Sequence, residues 1–498
     1  MGREEQREDS ILLQNVAQQL NLYDSLFPEV ENKELQVLFA LIRIYLARCD
    51  NAHLKKEHIM INPQIMQRLA MSYFDPFNTP TSRNLREALV TRLHSVRKYR
   101  ITNPEVVRRT LVSCLYEEEK RTHPVRKTYL DAFMKYPNMQ FAEIAKQLGV
   151  TPQAVYQAYH ALRRSDLIRF YGYLNYPAFR LRHYITFFTL LREYRGKSDY
   201  PKKLLFDNVP FTLNLNLDIY EGSSWASFAV PNQRKELSQF RQTLMDLRGE
   251  VFKDINICEL KSFSTGSNLE FFDGKRWFFD PHLWAYGFFE FVRENKELLR
   301  KATELRYSDS HERFDRMDFL IATILMSNPF ATHNDIRKQL EQFGYESSRP
   351  TITRRIDRLI SAQRSIDGNG SPEGQPMIYP YASYWGLGLS NMSAYLIECP
   401  DDKVEELYYA VNYLPFYFLY RTDKGVLIFI KSSLEDSAKI NYMMKGINEI
   451  NIVTYSNRFE NSGGKTLTPL YDHWNEVEQK WVCSVDELDF VRRYELLQ

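Results

Sequence analysis

Cysteine is sparse and scattered: Cys49, Cys114, Cys258, Cys399 and Cys483 never approach C-x-x-C spacing. That excludes a zinc ribbon and a disulfide framework, and fits a reducing compartment. No stretch nears the ~18 consecutive apolar residues that a bilayer span requires. The opening MGREEQREDS lacks the apolar core of a secretory signal, and Gln6 stands where a myristoylation motif wants Ser or Thr. These absences predict a soluble, cytoplasmic protein with no membrane partner. Net charge is only +2, so no global basicity announces a polyanion, and any such case must rest on local patches. Motifs that carry chemistry are missing too: no P-loop, no G-x-G-x-x-G after a strand, no G-x-S-x-G elbow. The ten histidines are scattered, with none in H-E-x-x-H or among clustered acids. The expectation is therefore no catalytic residue, no metal and no cofactor: not an enzyme.

What is present in excess is aromatic, with 32 Tyr, 32 Phe and 6 Trp. Such residues suit cores and domain seams first, and base-stacking platforms second. A chain of 498 residues is too long for one core, and two to four domains are expected. The chain also echoes itself. Thr128–Tyr136 reads as a helix, MQFAEIAKQLG as a second helix closed by Gly149, and TPQAVYQAYHALRR as a third. Thr151 is a good N-cap, Pro152 suits the first helical position, and Ala154, Val155, Ala158 and Leu162 make a buried stripe. Ile168–Leu174 follows as a wing strand.

The same order returns in FDRMDFLIATILMSNP, THNDIRKQLEQFG and SSRPTITRRIDRLISAQRSI, with a cap at Thr332, a stop at Gly344 and a loop GNGSPEGQP at the wing. Each three-helix segment leads into a β-α-β-β-α-β pattern, the ferredoxin-like order. It runs from HYITFFTLLREY to VFKDINICELKSF, with a hairpin turn at Glu221–Gly222–Ser223, and again from MSAYLIECP to NIVTYSNRF. The tails also match, FFDGKRWFFDPHLW with LYDHWNEVEQKWVCSVDEL, aligning Trp277 with Trp481. The predicted fold class is α+β. Its domains are a helical region over 1–125 with a degenerate helix-turn-helix candidate at 33–100, a winged helix-turn-helix over 126–182 and a ferredoxin-like domain over 183–265. An aromatic tail and charged helical linker over 266–311 follow, then a second winged helix-turn-helix over 312–385, a second ferredoxin-like domain over 386–460 and a tail over 461–498.

This order resembles the Lrp/AsnC, or feast/famine, family of regulators. The likeness lies in FDRMDFLIATIL, EIAKQLGVTPQAVYQAYHALRRSDLI, YPYASYWGLGLSNMSAYLIE and YRTDKGVLIFIKSS, where Asp423, Lys424 and Gly425 fall at a hairpin turn. It covers roughly 126–263 and 312–460. The resemblance implies a prokaryotic transcription regulator that binds double-stranded DNA, with ferredoxin-like domains that pair and sense a small-molecule effector. Family members usually carry one such unit per chain. Two in tandem imply pairing within the chain, as a pseudo-dimer that is also open to further self-association. No effector-binding residue carries over.

A recognition helix reads base edges from its N-terminal turns and holds phosphate with flanking Arg or Lys. The first set of candidates is Thr151, Gln153, Tyr156, Gln157 and His160 for bases, with Arg163, Arg164 and Arg169 for phosphate. The second is Ser347, Ser348, Arg349, Thr351 and Thr353, with Arg354, Arg355 and Arg358 supplying charge. Gln suits adenine, and Arg349 or Arg354 suits guanine. Residues 126–182 carry nine Lys/Arg against three acids. Near the N-terminus, SRNLREALVTRLHSVRKYRI is strongly basic, with Arg92, Arg97, Lys98 and Arg100 as residues of interest. Rival readings are a protein-interaction scaffold, a siroheme-decarboxylase-like enzyme using a His-bearing pocket around His183 or His473, and an RNA-binding protein. The last would stack bases on Phe187, Phe188, Trp225, Phe228, Tyr417 and Phe429.

Overall fold

The computed structural model describes residues 20–54 apart from 22, 32, 52 and 53, then 76, 81–101, 107, 110 and 111. It further describes 124–497 apart from 138, 166, 195–198, 208, 218–222, 273–276, 278–300, 308–312, 361–375, 385, 386, 388, 390, 447–450, 459–462, 465 and 466. Four expected features lie outside these residues: a helix over 61–74, the hairpin turn at Glu221–Gly222, the linker helix before residue 301 and most of the second wing loop. No helix among the described residues is long and apolar enough to cross a membrane.

Contacts divide the chain into residues 1–120 and 121–498. In the first unit, α1 (Lys33–Asp50) packs against α2 (Arg83–Lys98). Leu85, Leu89, Leu93 and Val96 recur at helical spacing and are buried with Leu38, Ile42 and Tyr45. The Ser82 hydroxyl caps α2 by accepting from the Leu85 amide.

The second unit opens with α3 (Pro124–Lys135), α4 (Phe141–Leu148), α5 (Pro152–Arg164) and β1 (Ile168–Leu174). Gly149 closes α4 at φ 66°, and Thr151 caps α5 by accepting from the Ala154 amide at 3.2 Å. Val155, Tyr159 and Leu162 of α5 are buried, so Tyr159 fills the core where the sequence suggested Ala154 and Ala158. Then come β2 (Leu181–Leu190), α6 (Asp199–Leu205), β3 (Thr212–Asn216), β4 (Ser224–Pro231), α7 (Arg234–Asp246), β5 (Phe252–Glu259), β6 (Ser262–Ser267) and β7 (Leu305–Arg306). Three helices follow, α8 (Arg316–Ser327), α9 (His333–Glu341) and α10 (Arg349–Ile360), with β8 (Ile378–Tyr384) after them. Thr332 and Asp335 form a capping box on α9. The remaining elements are β9 (Asn391–Glu398), α11 (Asp401–Ala410), β10 (Phe416–Arg421), β11 (Val426–Ser432), α12 (Leu434–Gly446), β12 (Asn451–Arg458), β13 (Gly463–Gly464), β14 (Trp474–Asn475), β15 (Lys480–Trp481) and α13 (Phe490–Leu497).

The fold is α+β, and its named strands pair antiparallel. One sheet runs β13-β3-β4-β2-β5, the other β12-β9-β11-β10-β6-β7. Each four-stranded core, β3-β4-β2-β5 and β10-β11-β9-β12, thus keeps its first and third strands central, the ferredoxin-like arrangement. Alternation in β2 sends Ile185 and Phe187 to one face and Tyr184 and Phe188 to the other. The first face meets the second sheet, where Trp225 lies 5.5 Å from Phe429. The second face is covered by α7 through Phe240 and Leu244. Each fully buried side chain of this size contributes roughly 1.5–3 kcal/mol, so the seam between sheets is a stable contact.

Tails cross over between the two halves. β6 pairs with β10, and β13 pairs with β3. Trp277 donates its indole N–H to the Leu387 carbonyl, while Trp481 donates to the Phe179 carbonyl at 2.8 Å. The Arg493 guanidinium reaches the carbonyls of Lys203, Leu204 and Asp207 at the end of α6, where cations suit the helix dipole.

Strands β1 and β8 pair with each other, Tyr171 opposite Tyr381. Gly172 lets α8 approach β1: a Cβ there would lie 2.6 Å from the Leu325 carbonyl oxygen and 2.8 Å from Ile378 Cγ2. Replacing Gly172→Ala should overpack this contact and cost about 1–3 kcal/mol. Thermal unfolding of the variant checks it, and a midpoint equal to the parent's would show that α8 does not press on β1.

Candidate nucleic-acid interface and a buried tyrosine–histidine cluster

The outer side of α5 carries Gln153, Tyr156 and Gln157, all exposed, beside exposed Thr151. Arg163 and Arg164 are exposed at its end. Arg163 donates to the Tyr159 hydroxyl at 3.1 Å and lies over that ring, and Arg164 donates to the His160 carbonyl at 3.3 Å. Both guanidiniums are therefore steadied while their remaining N–H groups face outward. His160 is half-buried against Tyr156 and Tyr159, ring centroids 4.2 and 5.2 Å away, and Arg169 is half-buried in β1. Four of the nine cations of this segment are already engaged. Lys127 donates to the Phe272 carbonyl, Lys135 pairs with Asp131, Arg180 donates to the Gln479 carbonyl, and Arg182 binds Asn232 and Glu259. Arg126 and Lys146 remain exposed.

The second head is built differently. Arg349 and Arg354 are exposed. Ser348 caps α10, its hydroxyl 3.0 Å from that of Thr351; Ser347 Oγ is buried with no hydrogen-bond partner among the described residues. Thr353 turns inward to His333 Nε2 at 2.8 Å. Arg355 pairs with Asp315 and Asp318, and Arg358 pairs with Asp318, whose side chain is 1% exposed. Arg355 and Arg358, expected to supply charge at this surface, are paired with carboxylates that fasten α10 onto α8. Beside the start of α10 lies a cleft of about 390 Å³ lined by Asp315, Glu346 and Glu476 as well as Arg355. Its carboxylates oppose phosphate.

A second feature is internal. The Tyr173 hydroxyl hydrogen-bonds His183 Nδ1 at 3.0 Å and also bonds the Tyr307 hydroxyl, itself 3.4 Å from Nδ1. Phe263 stacks on Tyr173 at 3.8 Å, and Tyr176 and Tyr420 close the box around the imidazole at 4.3 and 6.4 Å. β1, β2, β10 and the segment after β7 all contribute. Burial holds His183 down at about 3 and pushes the Tyr173 and Tyr307 hydroxyls well up, so the cluster is uncharged at neutral pH. His183 was legible as a strand residue, but its four tyrosine neighbours are spread over some 250 positions; only the surplus of tyrosine signalled them.

His473, the other histidine considered, pairs with Glu487 at 2.7 Å, and this partner raises its pKa. The Asp423–Gly425 turn is sealed onto β5: Asp423 accepts from the Glu259 amide at 3.0 Å and donates its own amide to the Glu259 carbonyl at 3.1 Å. The six sheet aromatics that an RNA platform would present are buried. Among the described residues there is no group of acids, histidines and cysteines fit to hold a metal.

From α3 to β12 one order of elements occurs twice: three helices, a strand and β-α-β-β-α-β. No family model matches the chain, and no curated protein matches it. Similar solved structures include two of the siroheme decarboxylase NirDL, one in co-complex with an iron-uroporphyrin III analogue. They show 10% and 11% identity and TM-scores of 0.39, and cover 75% and 74% of this chain and 99% of their own. E. coli AsnC is similar at 14% identity and TM-score 0.20, over 28% of this chain and 91% of its own. The expectation that the chain is not an enzyme is corrected here, because two of these similar structures are of an enzyme. The physical reason is that missing sequence motifs speak only to catalytic groups near one another in the chain, and say nothing of groups that folding brings together.

Fastening through Asp315 has a pH signature. Burial alone would raise the Asp315 carboxyl, but bonds from Arg355 and the Asp318 amide hold it below the usual range. A depressed carboxylate stabilises the fold above its unfolded value of about 4 and loses that contribution as pH falls through its folded value. Arg355→Met should cost roughly 1–3 kcal/mol at pH 7 and flatten the loss of stability below pH ~4. Parallel acid titrations of thermal midpoint decide it; unchanged curves would remove the lock.

Proposed function

We propose that this chain is a sequence-specific, double-stranded DNA-binding transcription regulator, built as a tandem duplication of a winged helix-turn-helix and a ferredoxin-like domain. The observation that carries the reading is the outward face of α5. Gln153, Tyr156 and Gln157 are exposed on the N-terminal turns of the helix proposed to enter a major groove, with Arg163 and Arg164 placed for phosphate. The second head offers Arg349 and Arg354. Because the heads differ, a chain reading both at once binds an asymmetric site. Pairing of β1 with β8 and of the two sheets supports the intrachain pseudo-dimer.

Footprinting and competition binding with the full chain test this. Replacing Gln153→Ala together with Gln157→Ala should relax preference at one or two base pairs by about 1–3 kcal/mol each, leaving non-specific affinity nearly unchanged. A strictly palindromic footprint counts against the two-headed arrangement. Failure of specific sites to exceed random duplex sinks the reading.

A second reading is an enzyme acting on a tetrapyrrole, the substrate class named for two of the similar structures. The feature of this chain that favours it is the Tyr173–His183–Tyr307 set, a neutral imidazole joined to two hydroxyls and able to pass a proton. Entry of a flat macrocycle requires the rings around it to part. Titrating the chain with an iron porphyrin and following absorbance should then give a saturable one-to-one change that His183→Phe abolishes. An identical titration for parent and variant rules this reading out.

A further inference from the structure

We infer that α2 of the first unit is a third DNA-contacting surface, engaging the duplex backbone through Arg97, Lys98 and Arg100. The inference rests on the proposed DNA-binding reading and adds a site that this reading does not use. Residues 83–100 hold six Arg or Lys against a single acid, Glu87. Two of the six are neutralised, Arg83 by Glu87 at 2.9 Å and Arg86 by Asp50 at 3.0 Å. At the other end, Arg97, Lys98, Tyr99 and Arg100 are all exposed, Tyr99 at 68%. Arg97 and Arg100 have no side-chain hydrogen bond or ion pair among the described residues, and Lys98 lies over the Tyr99 ring at 5.5 Å. The opposite side of α2 is fixed by Leu85, Leu89, Leu93 and Val96 in the core, so the basic end is presented on a rigid element.

Cations in a last helical turn also stabilise the helix through its dipole, and that alone would account for Arg97 and Lys98. It does not account for Arg100. This residue takes φ 49°, and the Ile101 amide donates to the Val96 carbonyl at 3.0 Å. That is the helix-ending turn in which glycine is the favoured residue, because a side chain there is strained. An arginine has been kept at the position where glycine would hold the fold more cheaply. Strain retained beside unpaired charge marks a surface selected for what it binds. The partner that matches is polyanionic, and duplex DNA is the polyanion the rest of the chain is built to meet.

The experiment uses the full-length chain and a random 30-base-pair duplex, with binding measured from low to moderate salt. The triple change Arg97→Ala, Lys98→Ala, Arg100→Gly should lower the magnitude of the slope of log affinity against log salt by roughly 2–3, about 0.9 per lost phosphate contact. Arg100→Gly alone should leave the thermal midpoint equal or higher while reducing the slope by about 1. If the parent binds the duplex and the triple variant keeps its slope, the inference is overturned and the main reading stands. If the parent does not bind duplex DNA, both fall. Loss confined to single-stranded RNA of equal charge overturns it in favour of an RNA surface.

Discussion

The pairing of β1 with β8 is the constraint from which the arrangement of residues 121–498 follows. Seven residues on each strand run antiparallel, centred where Tyr171 faces Tyr381 with rings stacked at 5.5 Å. An antiparallel pair is its own two-fold axis, so whatever precedes and follows each strand is placed in opposed positions. Close approach of α8 to β1 through Gly172 then ties the second head to the first wing, and Phe330 completes the contact at 4.9 Å from Phe170.

Within that frame the halves differ in electrostatics. In the first head, α5 is held by apolar and aromatic packing of Val155, Tyr159 and Leu162, which leaves its arginines outward. In the second, α10 is held by a buried carboxylate that takes two arginines out of circulation. Apolar packing fixes a helix without consuming charge, whereas an ion-pair lock trades surface cations for rigidity. Between the sheets and the wings, the tyrosine box makes the opposite choice. It buries five polar side chains and keeps every one neutral, which avoids the cost of an unpaired charge in a dry interior.

Local order was legible from the residues. Caps at Thr151 and Thr332, the left-handed stop at Gly149 and the alternation of β2 are set by neighbours within a few positions, and propensity reads neighbours well. The crossing of the tails was not legible. β6 is SFSTGS and β13 a pair of glycines, segments with no apolar alternation, and their pairing comes from backbone groups meeting a vacant sheet edge. The reach of Arg355 and Arg358 to Asp318 spans some forty positions, so both looked like free cations on the helix surface. Only the matching of Trp277 with Trp481 hinted at tails serving equivalent places.

Reciprocal edge pairing sets an order of assembly. As the polypeptide leaves the ribosome, β2 to β5 are complete long before Gly463 and Gly464 exist, so β3 waits with a row of amides and carbonyls unmet. The indole of Trp481 and the guanidinium of Arg493, which finish the turn at Phe179 and the end of α6, arrive later still. The earlier sheet is thus the last to be sealed. Interrupting synthesis within the final forty residues leaves the front of this unit, not its end, open to aggregation and proteolysis.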